Sequence, residues 1–149
     1  MHPNEMTSAL GVKDNVLLAD IGNSYFHIYN GSEIEHLSHE EAIGKYSKEA
    51  LCYISVKQQL DSTIENIHLW KNISQQIQLE GAYETMGVDR RALCLSHENG
   101  IFIGVGSALT VDIMQEGKYM GGFIIPGLKQ MFQAYWDISS VLDTELYAT

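Results

Sequence analysis

The segment Asp20–Ser24 combines carboxylate, amide and hydroxyl groups around a glycine, directly after the apolar run Val16–Ala19. The glycine lets the backbone come close to a ligand, and successive N–H groups at such a turn form a hollow that binds anions. Asn23 and Ser24 add side-chain donors, whereas Asp20 would repel a phosphate and could act only through Mg²⁺ or a water bound to it. The sequence therefore predicts a phosphate-binding loop, with a plain hairpin turn capped by Asp20 as the alternative for this loop taken alone.

A second glycine turn, Gly104–Ser107, follows another apolar run, Ile101–Ile103. Two such loops would clamp a polyphosphate between them, which is a more specific prediction than either loop alone. The spacing of Gly104 and Gly106 could also indicate a dinucleotide fingerprint, but the third glycine is absent and a strand is predicted to follow where that motif requires a helix. The pattern therefore favours a two-loop phosphate site.

A carboxylate and a guanidinium, Asp89 and Arg90, lie near the predicted start of a helix that begins at Gly87. The helix dipole favours a carboxylate there, and Asp89 could accept the proton of a primary alcohol that attacks a phosphate. Arg90 offers a planar fork for a carboxylate or an amide. An exposed pair of charges at a helix start is the alternative, and the residues alone favour it.

Apolar alternation and turn signals predict the elements that position these groups. Strands are predicted at 16–19, 25–29, 33–37, 51–56, 68–73, 101–103, 109–114 and 119–125. Helices are predicted at 38–46, in the polar stretch up to about Asn66, from Gly87 to about His97, and from Gly127 onward. Asn30-Gly31 is typical of a two-residue hairpin, and Asn99-Gly100 is expected to end the preceding helix as a left-handed cap.

The pattern of strands at 16–37 recurs at 101–125, which aligns Asp20 with Gly104 at an offset of 84 residues. An internal repeat of this kind indicates two domains, although 149 residues would fit one. The predicted domains are 1–98, in which 1–14 form a flexible lead-in, and 99–149. The second copy has only one helix after its three strands and is therefore expected to be incomplete.

The composition argues against several classes of protein. Nine Lys and Arg residues against 19 Asp and Glu residues give a formal net charge of −10, and the basic residues are scattered, so we expect no nucleic-acid partner. No apolar run approaches the ~18 residues that a membrane helix needs, and the start has neither the basic region nor the apolar core of a signal peptide. We therefore predict a cytoplasmic protein without membrane contact.

The cysteines and histidines give no sign of a metal centre. Cys52 and Cys94 each lie in an apolar segment and are expected to be buried free thiols. The six histidines show no spacing typical of metal ligands, so His27 and His97 are expected to have structural or surface roles.

Four motifs in this chain resemble, in order and in spacing, those of the type III pantothenate kinase family. They are Leu18–Ser24, Gly87–Arg90, Gly106–Asp112 and Gly121–Leu128. The resemblance covers about residues 15–145, and four motifs in register are hard to reach by chance.

The resemblance implies a fold, an activity and its cofactors. The fold is that of the acetate and sugar kinase, Hsp70 and actin superfamily, an α/β ribonuclease-H-like (actin-like ATPase) domain that is duplicated, with the second copy incomplete here. The activity is ATP-dependent phosphorylation of pantothenate to 4'-phosphopantothenate, the first step of coenzyme A biosynthesis. The family also implies a homodimer that uses Mg²⁺ and a monovalent cation, K⁺ or NH4⁺.

The resemblance further implies roles for individual positions. The first phosphate loop corresponds to Asp20, Ile21, Gly22, Asn23 and Ser24, with Asp20 as the metal ligand, and ATP is also contacted by Gly106 and the hydroxyl of Ser107. The pantothenate-binding segment corresponds to Gly87, Val88, Asp89 and Arg90, with Asp89 as the catalytic base. Tyr83 could line the pantothenate pocket or simply be half-buried packing.

Two departures from the family pattern bear on activity. Gly104 stands where the family has the aspartate that binds the monovalent cation, and loss of one preorganised group commonly costs about 10²–10³ in rate. The part of the second domain that supplies the adenine side of the cleft is expected to be missing. The alternative function is therefore an impaired or inactive homologue that binds pantothenate, nucleotide or a partner chain without turnover.

Two further expectations concern the second half of the chain. Asp112 is expected to face solvent or to cap a turn rather than to face the cleft. The helix that starts at Gly127 carries apolar residues near one face and is expected to pair with another copy of the chain; these residues are Leu128, Met131, Phe132, Tyr135 and Trp136.

Overall fold

Eight strands in two sheets and four helices make up the computed structural model, which describes residues 16–22, 25–56, 62–139 and 141. The strands are β1 (Leu17–Ile21), β2 (Tyr25–Tyr29), β3 (Ile34–Ser38), β4 (Leu51–Ser55), β5 (Trp70–Asn72), β6 (Gly100–Val105), β7 (Ala108–Gln115) and β8 (Lys118–Pro126). The helices are α1 (His39–Tyr46), α2 (Ser62–Glu65), α3 (Val88–Cys94) and α4 (Leu128–Ile138), with a 3₁₀ helix at Ser74–Gln76. None of these helices is long and apolar enough to cross a membrane.

The first sheet has five strands in the order β3-β2-β1-β4-β5. Strands β1, β2 and β3 are antiparallel neighbours, whereas β4 pairs in parallel with both β1 and β5. Leu17, Ala19 and Ile21 of β1 point into the core, so Asp20 lies on the opposite face near the end of the strand. The sheet thus presents Asp20 beside the loop that follows β1.

Helix α1 covers one face of this sheet. It starts at a capping box in which the Ser38 hydroxyl and the Glu41 carboxylate accept reciprocal bonds from the backbone N–H groups of Glu41 and Ser38. Its buried residues Ala42 and Tyr46 pack on the sheet. The core on this side also includes Leu17, Ala19, Ile21, Phe26, Ile28, Leu51, Tyr53, Ile64 and Trp70.

Helix α3 covers part of the opposite face and also touches the second sheet. Val88 at its start packs with Cys52, Ile73 and Ile77 in a second buried cluster. The helix contacts β4 of the first sheet and both β6 and β7 of the second. The helix therefore connects the two sheets.

The second sheet is an antiparallel meander in the order β6-β7-β8. Its β7–β8 turn is at Glu116 and Gly117, which both have positive φ, as is typical of a two-residue type I′ hairpin turn. One face packs toward α3, where Met114 and Tyr119 are buried. The other face leaves apolar side chains exposed, namely Ile101, Ile103, Val105, Ile113, Phe123 and Ile125.

Two local predictions are wrong. The β2–β3 hairpin has a four-residue loop because Tyr29 pairs with Ile34, and the Asn30 side chain accepts bonds from the N–H groups of Ser32 and Glu33 inside it. Helix α3 ends at Cys94, and Asn99 instead accepts a 2.8 Å bond from the Glu116 N–H, which supports the β7–β8 turn. Gly100 is already the first residue of β6.

Cys52 and Cys94 are buried free thiols, as predicted. Burial raises the pKa of both thiols, that of Cys94 to about 11. Both are therefore protonated packing groups at neutral pH.

Candidate functional site

A cleft of about 380 Å³ lies where the end of β1, the start of α3 and the β6–β7 hairpin meet. Its lining residues are Asp20, Asp89, Arg90, Leu93, Gly104, Val105, Gly106, Ser107, Ala108 and Thr110. These residues come from three segments that are far apart in sequence. The structure therefore brings together Asp20, Asp89, Arg90, Gly106 and Ser107, five of the predicted site residues.

Asp20 is half-buried at one side of the cleft. Burial raises the pKa of its carboxyl group, the negative charge of Asp89 raises it further, and His27 on the neighbouring strand lowers it. The carboxylates of Asp20 and Asp89 are therefore close enough to repel each other, and a cation bound in the cleft would reduce that repulsion.

Asp89 is exposed in the first turn of α3. Its Oδ1 accepts a 2.8 Å hydrogen bond from the Arg90 N–H, which fixes the orientation of the carboxylate. A Cβ atom at Gly87 would lie 2.5 Å from the same oxygen. Any other residue at 87 would therefore displace the carboxylate.

The second loop consists of Gly106, Ser107 and Ala108, which lie between the paired residues Val105 and Leu109. The N–H group of Gly127 donates a 3.0 Å bond to the Ser107 carbonyl. A Cβ atom at Gly127 would collide with the carbonyl oxygens of Gly106 and Ser107. The glycine before α4 thus allows this loop to pack closely against the helix start.

Gly104 lies inside β6 rather than in the turn that the sequence predicted, and its partner across the strands is Thr110. A Cβ atom at Gly104 would be 2.6 Å from the Thr110 hydroxyl. A side chain at this position consequently requires Thr110 to move.

The expectation for Asp112 is wrong, because this residue is fully buried. Its carboxylate accepts hydrogen bonds from Nε (3.0 Å) and Nη2 (2.5 Å) of Arg90, which is itself buried. This bidentate pair raises the pKa of Arg90. The Arg90 guanidinium, which was predicted to bind a substrate carboxylate or amide, is therefore already paired with Asp112 inside the protein.

Two tyrosines complete this buried network. Nη1 of Arg90 donates a 2.5 Å bond to the Tyr83 hydroxyl, and Nη2 lies 3.4 Å from the Tyr119 hydroxyl. Tyr83 remains 44% exposed, so one side of its ring is open to solvent. A Cβ atom at Gly122 would come within 2.6 Å of Asp112 Oδ1 and 2.9 Å of the Tyr119 hydroxyl, and it would also collide with the Val111 carbonyl oxygen, so glycine makes room for both the strand pairing and the network.

The other predicted site residues lie outside the cleft lining or outside the described residues. The side chains of Ile21 and Val88 are buried in the core, so only their backbone groups could reach a ligand. Gly22 donates a 3.0 Å bond from its N–H to the Tyr25 carbonyl at the β1–β2 turn. Asn23 and Ser24 lie outside the described residues.

The cleft can hold a hard divalent cation only with help from a ligand. Within the described residues, no group of three or more His, Cys, Asp or Glu side chains is placed to bind a metal ion. Asp20 and Asp89 supply carboxylate oxygens, which Mg²⁺ prefers, and Mg²⁺ commonly binds one or two carboxylates together with substrate phosphates. The residues present therefore fit Mg²⁺ bound with a polyphosphate.

Sequence reasoning missed the pairing of Arg90 with Asp112, although a signal was present. Thr110, Asp112 and Met114 alternate with apolar residues along β7 and are all buried on the face toward α3. A charged residue in the middle of such a face requires a buried partner. Arg90 is the cation that α3 places there.

Comparisons with known proteins give a consistent family. The family model described as type III pantothenate kinase matches residues 53–145. A type III pantothenate kinase of Helicobacter hepaticus is 38% identical over 132 residues, covering 88% of this chain and 64% of the relative. The corresponding kinase of Helicobacter pylori is 34% identical over 130 residues, covering 87% of this chain and 58% of the relative.

A solved structure is similar in fold. The crystal structure of a conserved Baf family protein from Campylobacter jejuni superposes with a TM-score of 0.73 at 30% identity, covering 83% of this chain and 60% of that one. The chain thus spans roughly three fifths of the length of the proteins it matches, 58% and 64% for the two kinases above.

Proposed function

Because the chain belongs to the type III pantothenate kinase family, we propose that it transfers a phosphoryl group from ATP to pantothenate and forms 4'-phosphopantothenate, the first step of coenzyme A biosynthesis. The observation that carries this proposal is the cleft in which Asp20, Asp89 and the Gly106-Ser107 hairpin meet. Phosphoryl transfer needs a group that positions the nucleophile and groups that hold the phosphates. Asp89 is the candidate for the first role, and Gly106 and Ser107 are candidates for the second.

Asp89 is the proposed catalytic base. Its exposed carboxylate would accept the proton of the pantothenate hydroxyl as that oxygen bonds to the γ-phosphorus and the bond to the β–γ bridging oxygen breaks. The bond from the Arg90 N–H holds this carboxylate in one orientation. The main contribution of the base is then to position the nucleophile.

Asp20 is the proposed ligand of Mg²⁺, directly or through water. The ion would neutralise charge on the transferred phosphoryl group. The raised pKa of Asp20 and the nearby Asp89 carboxylate support a cation there, because a cation offsets both burial and repulsion. Gly106 and Ser107 would contact the phosphates from the opposite side of the cleft.

Pantothenate is proposed to bind beside Asp89 and Tyr83. The exposed side of the Tyr83 ring would form one wall, and Gly87 and Val88 would contribute backbone groups. Arg90 is engaged with Asp112, so its proposed role is to hold Asp89 and Tyr83 in place rather than to grip the substrate with its whole fork.

The monovalent cation of the family is not matched by the residues at its expected position. Gly104 offers no carboxylate, and the Thr110 hydroxyl occupies the space in front of it. No step of the proposed reaction is therefore assigned to K⁺ or NH4⁺.

The second sheet is proposed to begin a second copy of a ribonuclease-H-like domain, with the domains at 1–98 and 99–149. The offset that aligns Asp20 with Gly104 also carries β1, β2 and β3 into β6, β7 and β8. Both sets of three strands are antiparallel meanders in chain order, which supports the duplication.

The chain is proposed to form a homodimer and to act in the cytoplasm. The predicted contact helix, α4, exposes Leu128, Tyr135 and Trp136, and the apolar face of β6–β8 adds a second exposed surface. Both support self-association, because large exposed apolar patches commonly mark interfaces. The free thiols of Cys52 and Cys94 fit a reducing compartment.

Calorimetry run beside a phosphorylation assay tests this function. We expect the 149-residue chain to bind pantothenate and Mg²⁺–ATP and to form 4'-phosphopantothenate from them. Binding of either ligand without product would instead support the non-catalytic alternative. Binding of neither would overturn the kinase and would leave only a structural or partner-binding role.

A further inference from the structure

We propose that His27 and His36 form a binding site for a borderline-soft divalent metal ion such as Zn²⁺. The two residues face each other across β2 and β3, where they are register partners. Their Nδ1 atoms are 2.6 Å apart, and their rings meet edge to face with centroids 4.6 Å apart. Both side chains are exposed, so an ion can reach them from solvent.

The chemistry of the pair suits a metal ion. At this distance one ring donates its Nδ1–H and the other accepts with a lone pair, so both nitrogens point at the same space. Imidazole nitrogen is a common ligand of Zn²⁺, Cu²⁺ and Ni²⁺. An ion that replaces the shared proton would be bound by both Nδ1 atoms.

The geometry requires only a small adjustment. Metal–nitrogen bonds of about 2.0–2.1 Å place two nitrogens of a tetrahedral ion about 3.3 Å apart, so the rings must separate by less than about 1 Å. Rotation of two exposed side chains can provide this. The backbone stays fixed, because Phe26 and Ile28 on the other face of β2 are fully buried.

The neighbourhood of the pair is favourable to a cation. Asp20 is the register partner of His27 on β1, and the row Asp20, His27 and His36 runs across three adjacent strands. A carboxylate beside a ligating histidine is a common outer-shell arrangement in metal sites. Water would complete the coordination, since the described residues hold no cluster of three or more ligands.

This pair could not be predicted from the spacing of the histidines. The histidines are nine residues apart, which matches no local metal-binding motif. Only the four-residue loop and the resulting β2–β3 register bring them face to face.

Zinc titration of single variants tests the site without nucleotide or pantothenate. We expect His27→Gln and His36→Gln each to weaken Zn²⁺ binding at least about tenfold, because loss of a direct ligand should cost no less than loss of an outer-shell partner. His68→Gln is the matched control, since His68 is also exposed but lies outside the pair, and it should bind as the unaltered chain does.

A spectroscopic measurement adds a readout that does not depend on affinity, namely the number of imidazole ligands. Cu²⁺ bound to the unaltered chain should show coordination by two imidazole nitrogens in electron paramagnetic resonance, and either variant of the pair should show one fewer. Equal zinc affinity in all four proteins, or an equal loss in His68→Gln, would overturn the proposal. Because no phosphoryl transfer is measured, this result is separate from the fate of the proposed kinase activity.

Discussion

Asp20 is held in the fold under conditions that disfavour its charge. Burial first, and then the charge of Asp89, raise its pKa above the ordinary value of 3.8. Stability from such a group is present below the unfolded pKa and is lost as the pH rises through the folded pKa. We therefore expect Asp20→Asn to raise the free energy of unfolding near pH 7 and to have little effect near pH 3.

Urea unfolding at the two pH values measures this difference. Asp137→Asn is the control, because Asp137 is an exposed carboxylate of α4 and its bond from Gln133 can be kept by the amide. A loss of stability in Asp20→Asn at neutral pH would contradict the assignment of Asp20 as a residue kept for binding rather than for folding.

Asp112 should matter more for stability than any exposed charge. Asp112→Asn leaves the buried guanidinium of Arg90 without its counter-charge, and breaking a buried pair from one side typically costs about 3–5 kcal/mol. We expect a loss of that order in the free energy of unfolding, measured by urea denaturation.

The exposed pair of Lys118 with Glu80 provides the control for this prediction. Its N···O distance is 2.7 Å, but both side chains are more than half exposed, so Glu80→Gln should change stability little. Equally small effects of the two substitutions would show that the Arg90 network contributes no more than a surface ion pair.

At the scale of elements, the β6–β7 pairing explains why Gly104 is not simply a missing charge. Gly104→Asp would press its Cβ against the Thr110 hydroxyl, and overpacking of this kind typically costs about 1–3 kcal/mol. Thr110→Ala removes the obstructing atom. We expect Gly104→Asp alone to be destabilised and the double variant to recover most of the loss.

The same pair of substitutions also tests the proposed function. If a carboxylate at 104 restores cation binding, the double variant should phosphorylate pantothenate faster in K⁺ than Thr110→Ala alone does.

The stability measurement has its own contradicting outcome. Additive stability effects in the four proteins of the cycle would contradict the proposed contact, because residues in contact should show coupling.

Local patterns in the sequence predicted most elements because their causes are local. A short apolar run located β1, and the extended patterns at 25–29 and 109–114 located β2 and β7. The end of α3 was placed too late because Asn99 serves the β7–β8 turn, 17 residues away. That use of Asn99 depends on packing that no local window contains.

In the candidate site, residues that belong to motifs were predictable from the sequence, whereas contacts between distant segments were not. Asp20, Asp89 and the Gly106-Ser107 hairpin were identified by motif, and the cleft brings them together. The Arg90–Asp112 pair was not identified, because it depends on α3 packing on β7 across 22 residues of sequence. Gly122 was placed in a strand and in a motif, but its close approach to Asp112 could not be read from the sequence.

At the scale of the whole molecule, the apolar face of β6–β8 should drive self-association. Ile103 is 60% exposed on this face in the middle of β6, an edge strand, and Ile34 is equally exposed on an edge strand of the first sheet. We expect Ile103→Lys to shift the chain toward monomer, and Ile34→Lys, the matched control, to leave its association unchanged.

Sedimentation velocity at micromolar concentration measures this effect. Ile103→Lys would place a charge in the apolar contact between copies, and the cost of desolvating that charge should weaken the contact. The fold of the monomer should not change, because position 103 is exposed within one chain. A chain that is already monomeric, or that responds equally to both substitutions, would show that this face is not the contact between copies.

The net charge of −10 also acts at the scale of the whole molecule. It repels anionic ATP and pantothenate at long range, so binding must depend on the local groups of the cleft and on bound cations. A proposed site with two carboxylates in such a molecule requires Mg²⁺ to accompany the nucleotide.

Formation of 4'-phosphopantothenate by the chain and by Asp89→Asn tests the central claim most directly. Mass spectrometry with ATP, Mg²⁺ and pantothenate should detect product from the unaltered chain, at least about 100-fold less from Asp89→Asn, and an unchanged amount from Asp137→Asn. Circular dichroism should show the same fold in all three proteins, because both substituted residues are exposed. Absence of product from the unaltered chain, or equal product from Asp89→Asn, would contradict the assignment of this cleft as a phosphoryl-transfer site.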